Sequence, residues 1–335
     1  MADHLEFRAT APQRVLVTGA AGFIGFHTAR EFLRRGWTVH AMTHRKPLPT
    51  PEDSEAARRV VEVKANITDI ESLETVFTSS AGPFDAVVHC AARASDVGGR
   101  SAFCRANYDA VRYLGDLSMR HEVGRFVFIS TTDVYGMRDF NGETEEELDY
   151  DPRPKSFYPM FKILSEKWIR ANLPKDRYSI VRPAAVWGED DPSMTKRVRD
   201  FLAWSPWIVH FGKWRGQNRW PKVHVDTIAR ANYLAATLPE AAGEAFHVLD
   251  EKWTSVDDFY RFVAARFLPE KRIKTMTLPL WMGICFGAVV TTVSNLLNLK
   301  EPVLDPSLYA VRVVSSNLDF SAARYRRLAE LDASG

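Results

Sequence analysis

Arg14-Val15-Leu16-Val17-Thr18-Gly19-Ala20-Ala21-Gly22-Phe23-Ile24-Gly25 is the stretch that decides the fold. Its apolar start reads as a short buried strand, and its end opens a helix whose apolar positions Phe23, Phe26, Ala29, Phe32 and Leu33 recur at helical spacing. Between them lie glycines in the pattern G-x-x-G-x-x-G. Gly19 allows a tight turn, Gly22 lets backbone approach a pyrophosphate, and Gly25 lets helix and strand pack closely. The helix N-terminus at Phe23 and Ile24 offers unpaired N–H groups and a partial positive charge to phosphates. A strand before and a helix after make this a dinucleotide-binding turn rather than an ordinary tight turn.

Working outward, short apolar runs alternate with helical patterns. Strands are expected at 37–42, 60–63, 84–89, 126–130 and 179–182, and helices at 70–77, 107–119 and 157–171. Such alternation implies an α/β fold, a doubly wound parallel sheet of the Rossmann kind with helices on both faces. After Pro183 the alternation breaks down. We expect a nucleotide-binding domain over 12–183 and a smaller mixed cap over 184–335, with 223–250 returning to the first domain. The seven acids between Asp139 and Asp151 read as a solvated loop.

Composition narrows the class. The 335 residues are 46% hydrophobic and 26% charged, with a net charge of +2. This excludes a disordered tail, a collagen-like fibre and a disulfide scaffold, and gives no overall pull toward nucleic acid. Cys90, Cys104 and Cys285 form no CxxC pair and no metal-ligand spacing, and their odd number forbids full pairing. Reduced thiols, no metal and a polar Met1–Gln13 without an apolar core point to a cytoplasmic protein.

At the end of the second strand, where an acid would bind the ribose hydroxyls of NAD, stands Thr43-His44-Arg45-Lys46, with no acid between Gly36 and Pro51. A guanidinium grips a 2′-phosphate that a carboxylate would repel. NADP is therefore expected ahead of NAD, with Thr43, His44 and Arg45 at the site. Farther on, Tyr158-Pro159-Met160-Phe161-Lys162 puts a phenol and an ammonium one turn apart on one helix face. An ammonium beside a phenol brings its pKa toward neutrality, where proton transfer is efficient. Thr131, flanked by Ser130 and Thr132, ends a strand where ligands bind in such sheets.

With these pieces the chain resembles an extended short-chain dehydrogenase/reductase, the group that includes NAD-dependent epimerases and dehydratases. The matching residues are Thr18–Gly25, His89-Cys90-Ala91-Ala92, Asn107, Ser130–Gly136, Tyr158 with Lys162, Val181-Arg182-Pro183 and Val223-His224-Val225-Asp226. The resemblance implies that Thr131 orients a substrate oxygen, Tyr158 moves its proton, and Lys162 tunes Tyr158 and holds a ribose. It places Asn66 and Ile67 near the adenine, Ala91, Ala92 and Arg93 on the nicotinamide side, Pro183 to Val186 behind the nicotinamide ring, and Asn107 among the cofactor-binding residues. It also implies a homodimer. Asn66 stands where the family often has an acid. Ala185 stands where sugar-nucleotide members carry an Asn, so Arg182-Pro183-Ala184-Ala185-Val186 resembles 3β-hydroxysteroid dehydrogenase-like members instead.

The expected activity is NAD(P)-dependent hydride transfer to or from a secondary alcohol or ketone of a bulky, partly apolar small molecule. The alternatives are a sugar-nucleotide epimerase or dehydratase, and a non-catalytic NADP-binding sensor or scaffold. Two further stretches bear on substrate. Lys196–Lys222 holds seven Lys/Arg, one acid and four tryptophans. It suits an anionic substrate group, a lipid surface, or a solvated basic edge over packed tryptophans. Residues 275–299 hold no charge. They read foremost as a buried cap helix, then as a substrate-entry helix in peripheral contact with a membrane, and least as a span.

Overall fold

The computed structural model describes residues 13–49, 58–79, 83–188, 191, 193–250 and 254–334. The reading of Met1–Gln13 lies outside these but for Gln13, as do residues 12 and 335 that bound the expected domains.

Seven strands form one all-parallel sheet: β1 (Arg14–Thr18), β2 (Thr38–Thr43), β3 (Val60–Lys64), β4 (Ala86–His89), β5 (Arg125–Ile129), β6 (Tyr178–Pro183) and β7 (Ala245–Val248). Their spatial order is β7-β6-β5-β4-β1-β2-β3. The order reverses beside β1, between β1 and β4, and a crevice opens there at the strands' C-terminal ends.

Both faces of the sheet are apolar because both are covered. Val15, Val17, Val39, Ala41, Val88, Val127 and Val181 point to one side. There they meet Ala29 and Phe32 of α1 (Phe23–Arg34) and Ile228, Ala231 and Leu234 of α5 (Val225–Thr237). The alternate residues Leu16, Val87, Phe126, Phe128 and Ile180 point to the other side. They meet Leu73 and Val76 of α2 (Ile70–Thr78), Val111 and Leu114 of α3 (Ala110–Arg120) and Ile169 of α4 (Phe157–Asn172). A one-residue slip in any strand would exchange the two sets, so the pattern fixes the register.

A third core joins the remaining elements. Val198 and Leu202 of helix Met194–Trp204, Ile208, Trp220, Phe259 and Val263 pack with Val134, Phe140 and Phe320. The acidic stretch is not simply solvated. Phe140–Glu143 pairs in parallel with Leu318–Phe320. Asp139 accepts from the Trp214 indole (3.0 Å) and the Asn317 N–H (2.8 Å), and Glu145 accepts from the His247 N–H at 2.5 Å. Long-range backbone pairing, invisible as local pattern, draws these acids in. At the other end of the molecule Asp332, on the last helix Ala323–Ser334, receives both Arg35 (2.9 Å twice) and Arg230 (2.8 Å).

Two buried histidines make the fold sensitive to acid. Burial, with the Lys162 ammonium beside it, pushes His89 down to about 3. Burial pushes His247 down to about 3 as well, against the raising effect of the Ser321 carbonyl it donates to. Below a pH of about 6.5 the unfolded chain binds these protons and the folded chain does not, so stability is full above that value and is lost as pH falls toward 3. Between pH 6.5 and 4 one such group withdraws about 3 kcal/mol. Thermal unfolding of wild type and His247→Gln at several pH values should therefore show any advantage of the wild type shrinking by that amount on acidification. A constant difference would contradict it.

Candidate active site

The glycine turn is built for close approach. Gly19 sits at φ +68°, and a Cβ on it would lie 2.9 Å from the Ala91 Cα; a Cβ on Gly25 would lie 2.2 Å from the Gly19 carbonyl oxygen. Gly22 begins α1 without a side-chain cap and the first turn holds no acid, so the N–H groups there are free for an anion. This cradle, which any side chain would fill, fits a dinucleotide pyrophosphate.

Across the crevice, the Thr18 hydroxyl bonds the His89 ring (2.8 Å) and accepts from the Ala91 N–H (3.2 Å). The loop Ala91-Ala92-Arg93 is held by Asn107, whose carboxamide accepts from the Arg93 N–H at 2.7 Å and donates to the Arg93 carbonyl at 3.0 Å. Asn107 lies in a π-helical turn, Arg105–Asp109, and its own carbonyl accepts from Ser165 of α4 at 2.6 Å. Its side chain is thus spent on holding the loop.

Thr131 follows β5 and caps the short turn Thr132–Tyr135 through the Asp133 N–H (3.2 Å). Lys162 is buried, donates to the Ile129 carbonyl at 2.5 Å and lies 5.8 Å from the centroid of the Tyr158 ring. Burial pulls the ammonium down to about 8, opposed by Glu166. The Tyr158 phenol stands above its ordinary value: burial raises it, the Asp133 carboxylate raises it further, and a hydrogen bond with Thr131 lowers it. The expected lowering by Lys162 is not found here: the ammonium donates to a backbone carbonyl, and the charge that acts on the phenol is the Asp133 carboxylate. Burial also pushes Asp133 up to about 6, although the Tyr309 hydroxyl donates to it.

Asp133 and Tyr309 line a cavity of about 460 Å³, together with Met137, Pro152, Pro159 and Leu308. Its charged lining is four carboxylates, Asp96, Asp133, Asp149 and Asp151, against three cations, Arg138, Lys155 and Arg312. Behind α4 runs a buried network. Arg182 donates to both oxygens of Glu166 (3.1 and 2.5 Å) and to the Tyr135 hydroxyl (2.5 Å). Glu166 also accepts from Ser130 and from Tyr150 (2.8 Å), and Tyr135 bonds the His247 ring at 2.8 Å. The Arg182 charge and these donors hold the Glu166 carboxyl below its ordinary value despite burial.

The remaining expected residues divide. His44, Arg45 and Lys46 are exposed at the end of β2. Thr43 is buried and donates to Glu62 Oε1 at 2.7 Å, so the neighbouring strand brings a carboxylate to a strand end where the local sequence has none. Asn66 closes its own turn, its side-chain Oδ1 accepting from the Thr68 N–H (3.1 Å), while Ile67 packs on the core beneath α2. Pro183 ends β6. Val186 lies in Ala185–Trp187, which pairs with Lys222–His224.

Glu166, Asp133, Tyr309 and Glu62 were not read from the sequence. Glu166 carries a usable signal, since it continues the Tyr158–Lys162 face by four residues. Tyr309 carries none.

Five of the seven cations of the basic stretch 196–222 pair with acids rather than standing open to an anion. Asp200 takes Lys196 and Arg199, Asp96 and Asp305 take Arg197, Asp139 takes Lys213, and Asp319 takes Arg219. The uncharged stretch is not a buried helix. It forms a strand, Lys274–Leu278, and then α6 (Leu280–Leu296), of which only Gly283, Gly287, Val290 and Ser294 are buried. Among the described residues no helix is long and apolar enough to cross a membrane.

Comparison with known proteins places the chain among relatives. The profile of the NAD dependent epimerase/dehydratase family matches residues 15–248. A 3-beta-hydroxysteroid dehydrogenase of Mycolicibacterium neoaurum is 27% identical, over 94% of this chain and 85% of that one. The decarboxylating sterol-4-alpha-carboxylate 3-dehydrogenase of Mus musculus is 25% identical, over 75% and 69%. Among solved structures, MoeE5 in complex with UDP-glucose and NAD is 26% identical with a TM-score of 0.60, covering 79% of this chain and 85% of that one.

Proposed function

The chain belongs to the NAD dependent epimerase/dehydratase family, and from that premise we propose that it interconverts a secondary alcohol and a ketone on a bulky, partly apolar, sterol-like substrate. A nicotinamide dinucleotide held by the Gly19–Gly25 turn would supply the hydride to the carbonyl carbon or take it from the carbinol carbon. Tyr158 passes the proton to or from the substrate oxygen, Thr131 orients that oxygen, and Lys162 supports the phenol and the ribose. A phenol held above its ordinary pKa is protonated at neutral pH, which is the form that protonates a carbonyl oxygen during reduction. We assign 12–183 with 223–250 to cofactor binding and the rest of 184–335 to the substrate side.

The charge of the cavity carries the substrate reading. The four carboxylates of the cavity meet its three lining cations and Arg197, which pairs with Asp96, so the cavity holds no surplus of positive charge to draw in a nucleoside diphosphate sugar and favours a neutral substrate. The sterol dehydrogenases among the relatives support the same class. Calorimetry with UDP- and dTDP-sugars should show no binding at micromolar concentration, while 3-hydroxy and 3-oxo sterols should drive a change in nicotinamide absorbance. Micromolar binding of any sugar nucleotide would put the epimerase alternative first.

We further propose NADP as the preferred cofactor. The exposed His44, Arg45 and Lys46 support it, and Glu62 opposes it. Arg45→Ala should weaken NADPH at least tenfold more than NADH in fluorescence titrations. Equal losses would remove Arg45 from the 2′-phosphate, and tighter NADH binding by the wild type would reverse the preference.

A further inference from the structure

Helix α6 is built inside out. The residues it buries are small: Gly283, Gly287, Val290 and Ser294, at spacings of four, three and four. A Cβ on Gly283 would lie 2.6 Å from the Phe211 ring, and one on Gly287 2.8 Å from the Leu308 backbone. The close fit fixes which side faces in. Polar ties hold the same rotation, since Thr291 Oγ1 accepts from the Leu308 N–H (3.0 Å) and Asn295 accepts from the Gly98 N–H (2.9 Å). The large apolar side chains therefore point to solvent. Trp281 is 65% exposed, Val289 63% and Leu296 80%, and Phe286, Val293 and Leu297 join them. A water-facing helix face normally carries the charges.

Charge identifies the occupant. From Lys271 to Lys300 the chain holds four cations, Lys271, Arg272, Lys274 and Lys300, and no acid. Glu270 and Glu301 lie just outside. Lys274 stands over the exposed Trp207 ring, 5.4 Å from its centroid, and Lys271 donates to the Leu202 and Ala203 carbonyls (2.6 Å each) in the last turn of helix Met194–Trp204, beside the exposed Trp204. An apolar face flanked by tryptophans and cations matches the boundary between acyl chains and anionic headgroups. A second copy of this chain offers no acids from the corresponding stretch to meet those cations.

We propose that the outer face of α6, with Trp204, Trp207 and the flanking cations, seats the protein on an anionic lipid bilayer. The inner face of the same helix contributes Thr291 to the cavity that Asp133 and Pro159 line, and Leu308, packed against Gly287, lines it as well. The helix is thus the wall between bilayer and that cavity, and an apolar ketone dissolved in the membrane has a short way in. That last step rests on the sterol-like reading of the site; the docking itself does not.

The test is flotation of the full chain with vesicles of phosphatidylcholine containing phosphatidylglycerol, and with phosphatidylcholine alone. The expected result is binding to the first that weakens with added salt, and at least tenfold less binding to the second. Val289→Asp combined with Leu296→Asp should cut binding at least tenfold while leaving turnover of a water-soluble ketone, and the far-ultraviolet dichroism, unchanged. Lys271→Glu with Lys274→Glu should abolish the preference for phosphatidylglycerol. No flotation with either vesicle overturns the proposal. So does a concentration-dependent dimer that Val289→Asp dissolves, since the face would then belong to a second copy. Flotation without sterol turnover would leave docking standing and remove the substrate reading; sterol turnover without flotation would do the reverse.

Discussion

Tyr158→Phe should lower turnover by ~10²–10⁴, or about 3–5 kcal/mol of barrier, the contribution of a positioned acid. The substitution keeps the ring and its packing on α4 and deletes only the hydroxyl beside Thr131 and Asp133. Cofactor affinity should stay within a factor of about two, because the phenol is not part of the glycine cradle that fits the pyrophosphate. Lys162→Met should differ. It removes an ammonium anchored on the Ile129 carbonyl and facing the Glu166 charge, so turnover and cofactor affinity should fall together. Steady-state kinetics and fluorescence titration of both variants separate the two patterns. Turnover within a few fold of wild type in Tyr158→Phe, on a verified substrate, would defeat the proton-transfer role.

The second large effect concerns stability. Glu166→Ala strips the carboxylate from a fully buried arginine and leaves Ser130, Tyr150 and Arg182 without their acceptor. Breaking a buried ion pair from one side costs about 3–5 kcal/mol, because the remaining charge stays in a low-dielectric site. A fall in Tm of about 4–7 °C follows for a chain of this size. Arg182→Met should cost a similar amount. The double variant Glu166→Ala/Arg182→Met should lose clearly less than the sum of the two, since neither charge is then stranded. Additive losses in denaturant unfolding would show that the pair does not act as a unit.

Much of the sheet was readable because its chemistry is local. Val15 to Val17, the glycine turn and Phe23 to Leu33 each obey their own short-range rule, and β4, β5 and β6 are apolar runs of strand length. The helix before β5 was read only from Asn107, whereas helical backbone begins at Arg100. The π-helical turn at Arg105–Asp109 adds a residue to one turn and breaks the 3.6-residue period there. β7 was not read at all, for Ala245-Phe246-His247-Val248 is short and contains a histidine whose burial depends on Tyr135 and Ser321. The cap resists for a deeper reason. Trp207–Phe211 pairs with Lys274–Leu278, and Tyr309 reaches Asp133, across separations that no periodicity encodes. Where the site depends on such pairings, as at Glu62 and Tyr309, one window of sequence holds only half of each interaction.

The carboxylate that fastens Arg35 and Arg230 at once belongs to the last helix, 297 residues after Arg35. During synthesis all seven strands leave the ribosome before Asp332 does. The first helix, whose N-terminus fits a phosphate, therefore waits at its other end for a residue made after the whole sheet. An emerging chain can fold its sheet domain early, as domains generally do, yet that helix gains its Asp332 anchor only afterwards. A nascent chain stalled between Val248 and Ala323 should be a poorer cofactor binder than its finished sheet suggests, so a finished sheet is not yet a finished cofactor site.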